Sequence, residues 1–365
     1  MKILLIGEYS RLHLSLSEGL KSLGYSVTLM SDGDGFKDYA RDVDIKRAKS
    51  GISGSASDYC SIIRKVRQNY DFDVVQIINP GFTTLNIRIN AILFDILRKK
   101  NKKVFFGAFG DDSYWLRACL DNRTFRYSEF YVEGNEQKSG NHDSLRKMWL
   151  NSPHERATKK MANKADGIVA CLYEYYEAYK TCFHDKLRYI PLPVNISYIE
   201  PDILLEEPDV VKFFIGINRD KNRIKGTDIM YRALRRLHDK YPDKTEVIKV
   251  ESLSYDVYQK RMREAHVVLD QLYSYTPAMN ALLAMAMGKI AVGGGEKEMY
   301  ELLGETANFP VINVLPTEDD VFRKLEFLVL NKELLPALSR KGRAFVEKHH
   351  NHVDVARQYL DFWNA

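Results

Sequence analysis

Residues 273–288, with the sequence YSYTPAMNALLAMAMG, decide the fold of the second half of the chain. Thr276 suits a helix N-cap, Pro277 suits the first helical position, and Gly288 suits the position just after a helix. The residues between them are apolar on almost every face, so only the N-terminus of the predicted helix is free to face a cleft. Free N–H groups and the positive end of the helix dipole predict a phosphate site there, with an ordinary capped core helix as the alternative.

Length and composition indicate a soluble protein of two domains. A chain of 365 residues is too long for one ordinary core, and 45% hydrophobic with 28% charged residues is typical of globular proteins. No apolar run approaches the roughly 20 residues that cross a bilayer, and the first residues lack a signal-peptide cleavage region. We therefore expect a cytoplasmic protein, with the inner face of the cell membrane as an alternative location. The four cysteines lack metal-ligand spacing and are expected to be reduced and structural.

The net charge of +5 is concentrated in the first half of the chain. It indicates an anionic partner or surface near the first domain, or serves only solubility. The densest run, RKKNKK at 98–103, is interpreted either as cations at a helix C-terminus or as a peripheral membrane contact. No nucleic-acid-binding motif accompanies the charge, so nucleic acid is not an expected partner.

Strand-like and helix-like segments alternate along the whole chain, which predicts an α/β fold with parallel sheets. In the first half, β-type runs end in small or polar clusters; in the second half the alternation resumes after a proline-rich connection at 189–210. We predict two doubly wound, Rossmann-like domains facing a cleft, at 1–195 and 196–348. Residues 349–365 are predicted to form a C-terminal helix that packs back on the first domain.

Three segments of the second domain are predicted to meet at the carboxyl edge of its sheet. They are residues 216–226, residues 276–278 and the glycine run 293–295. Cations at Arg219 or Arg223 and at Lys225, two helix starts and a glycine loop would together form a phosphate cradle. Each signal alone is also typical of an ordinary turn, so the prediction depends on their occurring in one domain.

These motifs resemble those of GT-B glycosyltransferases, particularly the retaining glycosyltransferase family 4 and its bacterial polysaccharide-synthesis relatives. Arg219 with Lys225 and Gly226 resembles the family's Arg/Lys-Gly donor-diphosphate motif. Residues 284–289, AMAMGK, are similar to its Ala-Met-Ala-x-Gly core, and residues 294–298, GGEKE, to its Gly-Gly-x-x-Glu loop. The resemblance covers nearly the whole second domain, whereas in the first domain it depends mainly on architecture.

The chain departs from the family at two positions. The family has glutamates eight residues apart where this chain has Tyr275 and Leu283. The second glutamate normally holds the donor ribose, a contact that Leu283 cannot make. Either another polar group, with Asn280 the nearest candidate, binds the nucleotide, or activity is reduced or lost.

The resemblance implies that a sugar moves from a nucleotide-diphosphate sugar to a glycan or lipid-linked acceptor, with retention, in surface polysaccharide synthesis. The cations and helix starts would stabilise the leaving diphosphate, so no metal or other cofactor is expected. The leaving phosphate would take the proton of the acceptor. The expected donor-binding residues are Arg219, Lys225, Tyr275, Thr276, Pro277, Ala278, Met279, Asn280, Gly294, Gly295 and Glu298.

The first domain would hold the acceptor at the ends of its strands. The expected acceptor residues are Gly7, Glu8, Ser10, Arg11 and Gly110, and the candidate catalytic residues are Asp111, Asp112 and His13. Alternatively, the aspartates cap a helix that starts at residue 113, and His13 lies on the exposed side of the first helix. The sequence HHNH at 349–352 is interpreted as a polar cap and not as a metal site.

Two other functions share this architecture. A nucleotide-sugar epimerase would bind the same diphosphate but need acid and base groups in place of an acceptor surface. A non-catalytic subunit of a polysaccharide assembly complex would explain the missing glutamates.

Overall fold

The chain divides into two compact units, and one segment of the predicted first domain belongs to the second unit. A computed structural model describes residues 1–47, 52–137, 140–217, 222–251 and 255–365. The first unit contains Met1–Ala118, His142–Asn195 and His352–Ala365. The second contains Ile196–Asn351 and also Cys119–Asn141, which the sequence had placed in the first domain.

Fourteen strands and fifteen helices are assigned within the described residues. The strands are β1 (Lys2–Ile6), β2 (Ser26–Ser31), β3 (Val43–Asp44), β4 (Val74–Ile77), β5 (Lys103–Ala108), β6 (Tyr131–Val132), β7 (Asn135–Glu136), β8 (Gly167–Ala170), β9 (Leu187–Tyr189), β10 (Val211–Ile217), β11 (Thr245–Glu251), β12 (Val267–Leu269), β13 (Ile290–Gly293) and β14 (Ile312–Asn313). The helices are α1 (Leu12–Ser22), α2 (Ile52–Gln68), α3 (Ile87–Lys100), α4 (Ser113–Leu120), α5 (Gly140–Trp149), α6 (Pro153–Lys164), α7 (Tyr173–Phe183), α8 (Asn222–Lys225), α9 (Thr227–Lys240), α10 (Tyr255–Arg263), α11 (Met279–Ala286), α12 (Lys297–Leu303), α13 (Glu318–Leu330), α14 (Leu335–His349) and α15 (His352–Asn364).

The first unit is built on a seven-stranded parallel sheet in the order β3-β2-β1-β4-β5-β8-β9. Its central strands are apolar runs, because a parallel sheet is covered on both faces. In β1, the residues from Ile3 to Ile6 are fully buried. The C-terminal helix α15 belongs to this unit and packs against α1. Gly19 makes that contact close, since a Cβ there would lie 2.2 Å from the His352 carbonyl oxygen.

The second unit has a five-stranded parallel sheet in the order β11-β10-β12-β13-β14. One face is covered by a cluster that includes Phe213, Met230, Leu237 and Leu325, and the other by a smaller cluster around Phe214 and Met287. The antiparallel pair β6 and β7 lies in the segment Cys119–Asn141.

Local sequence accounts for several helix ends. Helix α6 begins at Pro153, and the Ser152 hydroxyl accepts hydrogen bonds from the N–H groups of His154 and Glu155 at 3.1 and 3.3 Å. The basic residues of the 98–103 run include Arg98, Lys99 and Lys100 in the last turn of α3, the position that the helix dipole favours for cations. No helix among the described residues is long and apolar enough to cross a membrane. The cysteines form no disulfide.

Helix α11 starts later than predicted. Its N-cap is Ala278 and not Thr276: Ala278 has the extended φ and ψ of −84° and 179°, and its carbonyl accepts the hydrogen bond of the Leu282 N–H. The Ser274 hydroxyl also donates a hydrogen bond of 2.6 Å to the Thr276 carbonyl, which holds that residue in a turn. The predicted end is confirmed: Met287 is the C-cap, and Gly288 has the left-handed φ of +82°.

In each sheet the strand order changes direction beside the first strand. The change falls between β1 and β4 in the first unit and between β10 and β12 in the second. In doubly wound sheets, ligands bind at such switch points, outside the carboxyl ends of the strands. These two places are therefore where a site is expected.

Candidate active site

In the second unit, the three predicted segments come together around residues 272–276. The Leu272 N–H donates a 2.8 Å hydrogen bond to the Lys225 carbonyl, and the Glu296 N–H donates a 3.0 Å bond to the Tyr275 carbonyl. Gly294 packs so closely on Ser274 that an added Cβ would lie 2.2 Å from the Ser274 carbonyl oxygen. The first and third segments therefore both contact residues 272–275, which directly precede the second segment. That they form a phosphate site stays a prediction.

Gly226 allows the first of these contacts. Its φ of +67° is left-handed, and a Cβ at this position would lie 2.7 Å from the Cβ of Leu272. A glycine avoids both the strained left-handed backbone and the clash with Leu272. It places the half-buried Lys225 beside the chain that leads to α11. The Lys225 ammonium forms neither an ion pair nor a hydrogen bond with the residues described by the structure.

The start of α11 provides open backbone donors. Its cap, Ala278, has no side-chain acceptor for the first amides of the helix. Ala278, Met279 and Asn280 are partly exposed there, whereas Thr276 and Pro277 are buried and support the turn. Arg219, the second predicted cation, lies outside the described residues.

A polar group that the sequence analysis missed lies at the switch point of this sheet. Asp270 directly follows β12 and is 5% exposed. Its Oδ1 accepts a 3.1 Å hydrogen bond from the Asn280 amide, and the Asn280 carbonyl oxygen accepts one of 3.0 Å from the Tyr258 hydroxyl. The Asp270 Oδ2 atom has no partner among the described residues. The sequence offered one signal for this group, which is an aspartate directly after the apolar run 267–269.

Tyr275 is a packing residue and does not face a ligand, which corrects its predicted role. It is 2% exposed and stacks on Tyr127 of the segment Cys119–Asn141. Burial raises the pKa of its hydroxyl to about 12, so it stays a neutral phenol at physiological pH. Leu283 is partly buried against the core beside Phe214. Its side chain is apolar, so it supplies no polar group for a ribose.

Glu298, a predicted donor residue, is paired within the second unit. The Arg126 guanidinium contacts both Glu298 and Glu296, with a 2.7 Å bond to Glu296 Oε2. Glu296 also accepts hydrogen bonds from the Tyr127 hydroxyl at 2.8 Å and from the Asn313 amide at 2.9 Å. Gly295 N–H in turn donates a 3.0 Å bond to Asn313 Oδ1. These acidic groups fix the glycine loop to its neighbours.

A cavity of about 840 Å³ lies beside this loop, between the start of α12 and helix α13. Lys297, Arg323 and Lys324 lie at its wall, with Phe309 and Phe327 as apolar lining. Among the predicted donor residues the cavity wall includes only Gly295, so the cavity lies beside the predicted phosphate cradle and does not coincide with it.

In the first unit, a cavity of about 210 Å³ lies at the switch point between β1 and β4. Gly7, Glu8 and Tyr9 line it from the end of β1. Glu8 is 2% exposed, and burial together with the nearby Asp34 carboxylate raises its pKa to about 8, although hydrogen bonds from backbone N–H groups oppose the shift. Its carboxyl is therefore mostly protonated at neutral pH.

Ser10, Arg11 and Gly110 surround this region without lining the cavity. Ser10 and Arg11 have left-handed φ values of 51° and 69°, which non-glycine residues rarely adopt. Arg11 forms a 3.5 Å ion pair with Glu18. Gly110 approaches the Tyr9 ring, since a Cβ there would lie 3.2 Å from it.

His13 is fully buried, so the prediction of an exposed position was wrong. Its Nδ1 lies 2.8 Å from the Gly7 carbonyl oxygen, and its ring packs edge-on against Phe109. Burial lowers its pKa to about 3, which leaves a neutral imidazole at physiological pH. His13 therefore supports the loop after β1 from inside the unit. Its buried ring presents no surface to a donor or an acceptor.

Asp112 caps α4, as the alternative interpretation predicted. Its Oδ1 accepts hydrogen bonds from the N–H groups of Tyr114 and Trp115 at 2.8 and 3.0 Å, and its Oδ2 accepts one of 2.5 Å from the Tyr179 hydroxyl. Burial raises its pKa to about 6. The neighbouring Asp111 is exposed and is the aspartate of the pair that remains accessible.

The histidine-rich segment 349–352 contacts an acidic side chain through its first residue, next to Lys348. His349 Nε2 and the Lys348 ammonium each lie 2.7 Å from Glu305 Oε2. Within the described residues, no group of three His, Cys, Asp or Glu side chains is arranged to hold a metal ion.

Two parallel α/β units, with the last helix returning to the first, define the GT-B fold. A family model described as glycosyl transferase-like matches residues 217–361, which include most of the second unit. Fold and family match together show a GT-B fold whose second unit is similar to glycosyl transferases.

Solved structures of this fold cover the whole chain at low identity. Sucrose-phosphate synthase from Thermosynechococcus elongatus has 11% identity and a TM-score of 0.62, covering 100% of this chain and 98% of its own. Anabaena HepE in complex with UDP and glucose has 12% identity and a TM-score of 0.61, covering 100% of both chains. A candidate UDP-N-acetylglucosamine 2-epimerase from Listeria monocytogenes has 11% identity and a TM-score of 0.54, covering 99% and 94%. None of the curated proteins matches the chain by sequence.

Proposed function

We propose that the protein transfers a sugar from a nucleotide-diphosphate sugar to a glycan or lipid-linked acceptor, with retention, in surface polysaccharide synthesis. The observation that carries the proposal is the meeting of Lys225, the start of α11 and the close-packed Gly294 around residues 272–276. Among the described residues Lys225 has no ion-pair partner. A cation and free backbone amides in one place suit a diphosphate better than any neutral ligand.

The donor would bind in the second unit, with its diphosphate on Lys225 and the first amides of α11. Asp270 and Asn280, joined by a 3.1 Å hydrogen bond, would take the role that Leu283 cannot perform. The free Asp270 oxygen suits a hydroxyl donor such as a ribose, because a buried carboxylate oxygen gains from a hydrogen bond. HepE, solved with UDP and glucose, supports UDP as the first nucleotide to test.

The chemistry would need no metal. As the bond to the sugar breaks, negative charge grows on the diphosphate, and the fixed cation and amides stabilise that charge. The leaving phosphate would accept the proton from the acceptor hydroxyl, which the first unit holds. The exposed Asp111 is the first-unit carboxylate proposed to orient the acceptor. We place this reaction in the cytoplasm, at the inner membrane face if the acceptor is lipid-linked.

Calorimetric titration of UDP into the full chain tests the donor site. Lys225→Ala is expected to raise the Kd about 10- to 100-fold, because it removes a charge-assisted hydrogen bond of roughly 1.5–3 kcal/mol. Lys244→Ala is the control, since Lys244 is exposed and lies at the opposite, amino end of β11. Equal affinity in the wild type and Lys225→Ala would refute the phosphate cradle.

A nucleotide-sugar epimerase is the second candidate, favoured by the fold similarity to the Listeria protein. Product analysis separates the two: a transferase forms a new glycoside only when acceptor is added, whereas an epimerase changes the nucleotide sugar without acceptor. Binding of UDP with neither product would identify a non-catalytic subunit, the outcome for which Tyr275 and Leu283 argue.

A further inference from the structure

The cavity of about 840 Å³ in the second unit has a wall of aromatic and aliphatic side chains. Tyr300 and Phe309 meet edge-on there, with ring centroids 4.8 Å apart, and the Tyr300 hydroxyl accepts a 3.3 Å hydrogen bond from the Val311 N–H. Phe327 of α13 also lines the cavity. Its volume lies within the range of small-molecule sites, roughly 300–1,000 Å³. The cavity can therefore hold an apolar group of ligand size.

Two of these aromatic rings are exposed to solvent. Phe309 is 51% exposed and Phe327 is 47% exposed. Leu330 is exposed as well, and it follows Phe327 by three residues, so the two side chains lie on the same face of α13. Neighbouring exposed apolar side chains of this size are typical of a ligand or interaction site. The apolar lining therefore continues from the cavity along the surface of α13.

The acidic side of α13 is neutralised by helix α9. Three acidic side chains of α13 each form an ion pair with a basic side chain of α9. The pairs are Glu318 with Arg232 at 3.0 Å, Asp319 with Arg236 at 2.6 Å and Glu326 with Lys240 at 2.7 Å. The charge that α13 presents to a ligand is therefore decided by its other residues, those that line the cavity.

Cations predominate in the cavity wall. Lys297, Arg323 and Lys324 line it, together with one acidic residue, Asp320. The Asp320 carboxylate is balanced by Arg323, whose guanidinium lies 3.1 Å from its Oδ1 atom. Lys297 pairs with Glu301, but both side chains are exposed and such a pair contributes little. Lys324 forms neither an ion pair nor a hydrogen bond with the described residues, so a negatively charged ligand meets a net positive wall.

We propose that this cavity binds one molecule of an anionic membrane lipid, with its apolar chain against Phe309 and Phe327 and its charged head at Lys324. A ligand with both parts covers the exposed rings and also pairs the lysine, whereas a neutral lipid or a small anion does only one of the two. Leu330 extends the apolar surface beyond the cavity, and basic residues beside apolar ones are typical of helices that lie in a membrane surface. The inference goes beyond the proposed function and does not depend on it.

Four soluble probes separate the apolar chain from the charge. Calorimetry below the micelle concentration would compare octyl phosphate, hexyl phosphate, octanol and inorganic phosphate, each with the full chain. We expect octyl phosphate to bind best and hexyl phosphate about 15-fold more weakly, because each buried CH₂ group contributes about a factor of four to affinity. Octanol or inorganic phosphate binding as tightly as octyl phosphate would overturn the proposal, and so would no binding of any probe at millimolar concentration.

Variants at the cavity connect that binding to the aromatic wall. Phe327→Ala is expected to weaken octyl phosphate binding about tenfold, because the ring covers part of the chain. Leu205→Ala is the matched control, since Leu205 is an exposed apolar residue of the same unit outside the cavity wall. Unchanged binding in Phe327→Ala would contradict the proposal.

A second pair of variants tests the charge. Lys324→Gln is expected to weaken octyl phosphate binding about fivefold and to leave octanol binding unchanged, because only the phosphate contacts the ammonium. Lys244→Gln, at an exposed lysine of the same unit, is the control. Equal effects of the two changes would show that Lys324 does not hold the head group.

Vesicles test whether the ligand comes from a membrane. Flotation would compare vesicles of phosphatidylglycerol and phosphatidylcholine with vesicles of phosphatidylcholine alone. We expect binding only to the anionic vesicles, about threefold less in Phe327→Ala and unchanged in Leu205→Ala. Equal flotation of the wild type and Phe327→Ala would mean that another surface, such as the basic run 98–103, holds the vesicles, and would overturn the membrane source.

Lys225→Ala keeps this test separate from the proposed function. Octyl phosphate binding should stay within about twofold in this variant, because Lys225 does not line the cavity. A large loss would place the phosphate at the proposed donor site and overturn the inference. If UDP does not bind but octyl phosphate depends on Phe327, the transferase proposal fails and the lipid site stands. If UDP binds through Lys225 but octyl phosphate does not depend on Phe327, the lipid inference fails alone.

Discussion

Tyr127 is stacked on Tyr275, with ring centroids 4.6 Å apart and an interplanar angle of 19°. The Tyr127 N–H donates a 3.1 Å hydrogen bond to the Tyr275 hydroxyl, and the Tyr127 hydroxyl donates one of 2.8 Å to Glu296. The position where the resemblance expects a glutamate therefore carries an aromatic ring that anchors the segment Cys119–Asn141 to the second unit. In this chain the position serves assembly of the site and not direct contact with a ligand.

The hydroxyl of Tyr127 should contribute measurably to stability. Tyr127→Phe keeps the stacked ring but removes a hydrogen bond to a buried carboxylate, so we expect the free energy of unfolding to fall by about 1–3 kcal/mol. Urea unfolding of both proteins measures the difference. Tyr131→Phe, in the same segment, is the control, because its hydroxyl makes no hydrogen bond with the described residues. Equal effects of the two changes would show that the bond to Glu296 contributes nothing.

The close contact of Gly294 with Ser274 predicts a steric effect. In Gly294→Ala the new Cβ would lie 2.2 Å from the Ser274 carbonyl oxygen, so the backbone has to move at the proposed phosphate cradle. We expect a loss of about 1–3 kcal/mol in unfolding free energy and weaker UDP binding. In the control, Gly81→Ala, the nearest atom to the new Cβ is 3.5 Å away. Normal UDP affinity and stability in Gly294→Ala would mean that this contact is not needed.

Asp270 offers a test of how the nucleoside is held. Asp270→Asn should raise the Kd for UDP about tenfold, because a charged acceptor for the ribose is lost, and leave the Kd for pyrophosphate unchanged. Calorimetry with both ligands gives the comparison, and Asp243→Asn at an exposed position of the same unit is the control. A parallel loss of pyrophosphate binding would place Asp270 at the phosphates or in folding instead.

The sequence predicted those parts of the fold that depend on local patterns. The alternation of strand-like and helix-like segments predicted the parallel sheets, and Gly288 adopts the left-handed conformation expected after a helix. Local patterns did not predict which side chains are buried by residues far away in the chain. The polar side of α1 looked solvent-exposed, but α15 packs against that helix, with Gly19 against the His352 carbonyl. His13 turns instead toward Gly7 and Phe109.

In the candidate site, too, only part of the arrangement could be predicted from the sequence. The meeting of Lys225, residues 272–276 and Gly294 followed from their order along a parallel sheet, because successive strands end at one edge. The attachment of the segment Cys119–Asn141 to the second unit could not be predicted from strand order. It depends on the stacking of Tyr127 on Tyr275, two residues far apart in the chain. Asp270 stands out because its side chain is buried and its Oδ2 atom has no partner among the described residues. Neither property can be seen in a sequence.

The pH dependence of stability should reveal the buried Glu8. Its pKa rises from 4.5, the value expected in the unfolded chain, to about 8 in the folded protein. The folded state therefore holds this proton more tightly, and the stability that it contributes is complete below pH 4.5 and is lost as the pH rises through 8. Glu8→Gln cannot ionise and loses nothing over that range.

We expect the unfolding free energy of Glu8→Gln, relative to the wild type, to increase between pH 5 and pH 9. The increase should reach several kcal/mol, since each pKa unit corresponds to about 1.4 kcal/mol. Urea unfolding at pH 5, 7 and 9 measures it, with Asp185→Asn as a control that should follow the wild type, because that side chain is fully exposed. If Glu8→Gln and the wild type changed in parallel, Glu8 would be ionised in the folded state at neutral pH.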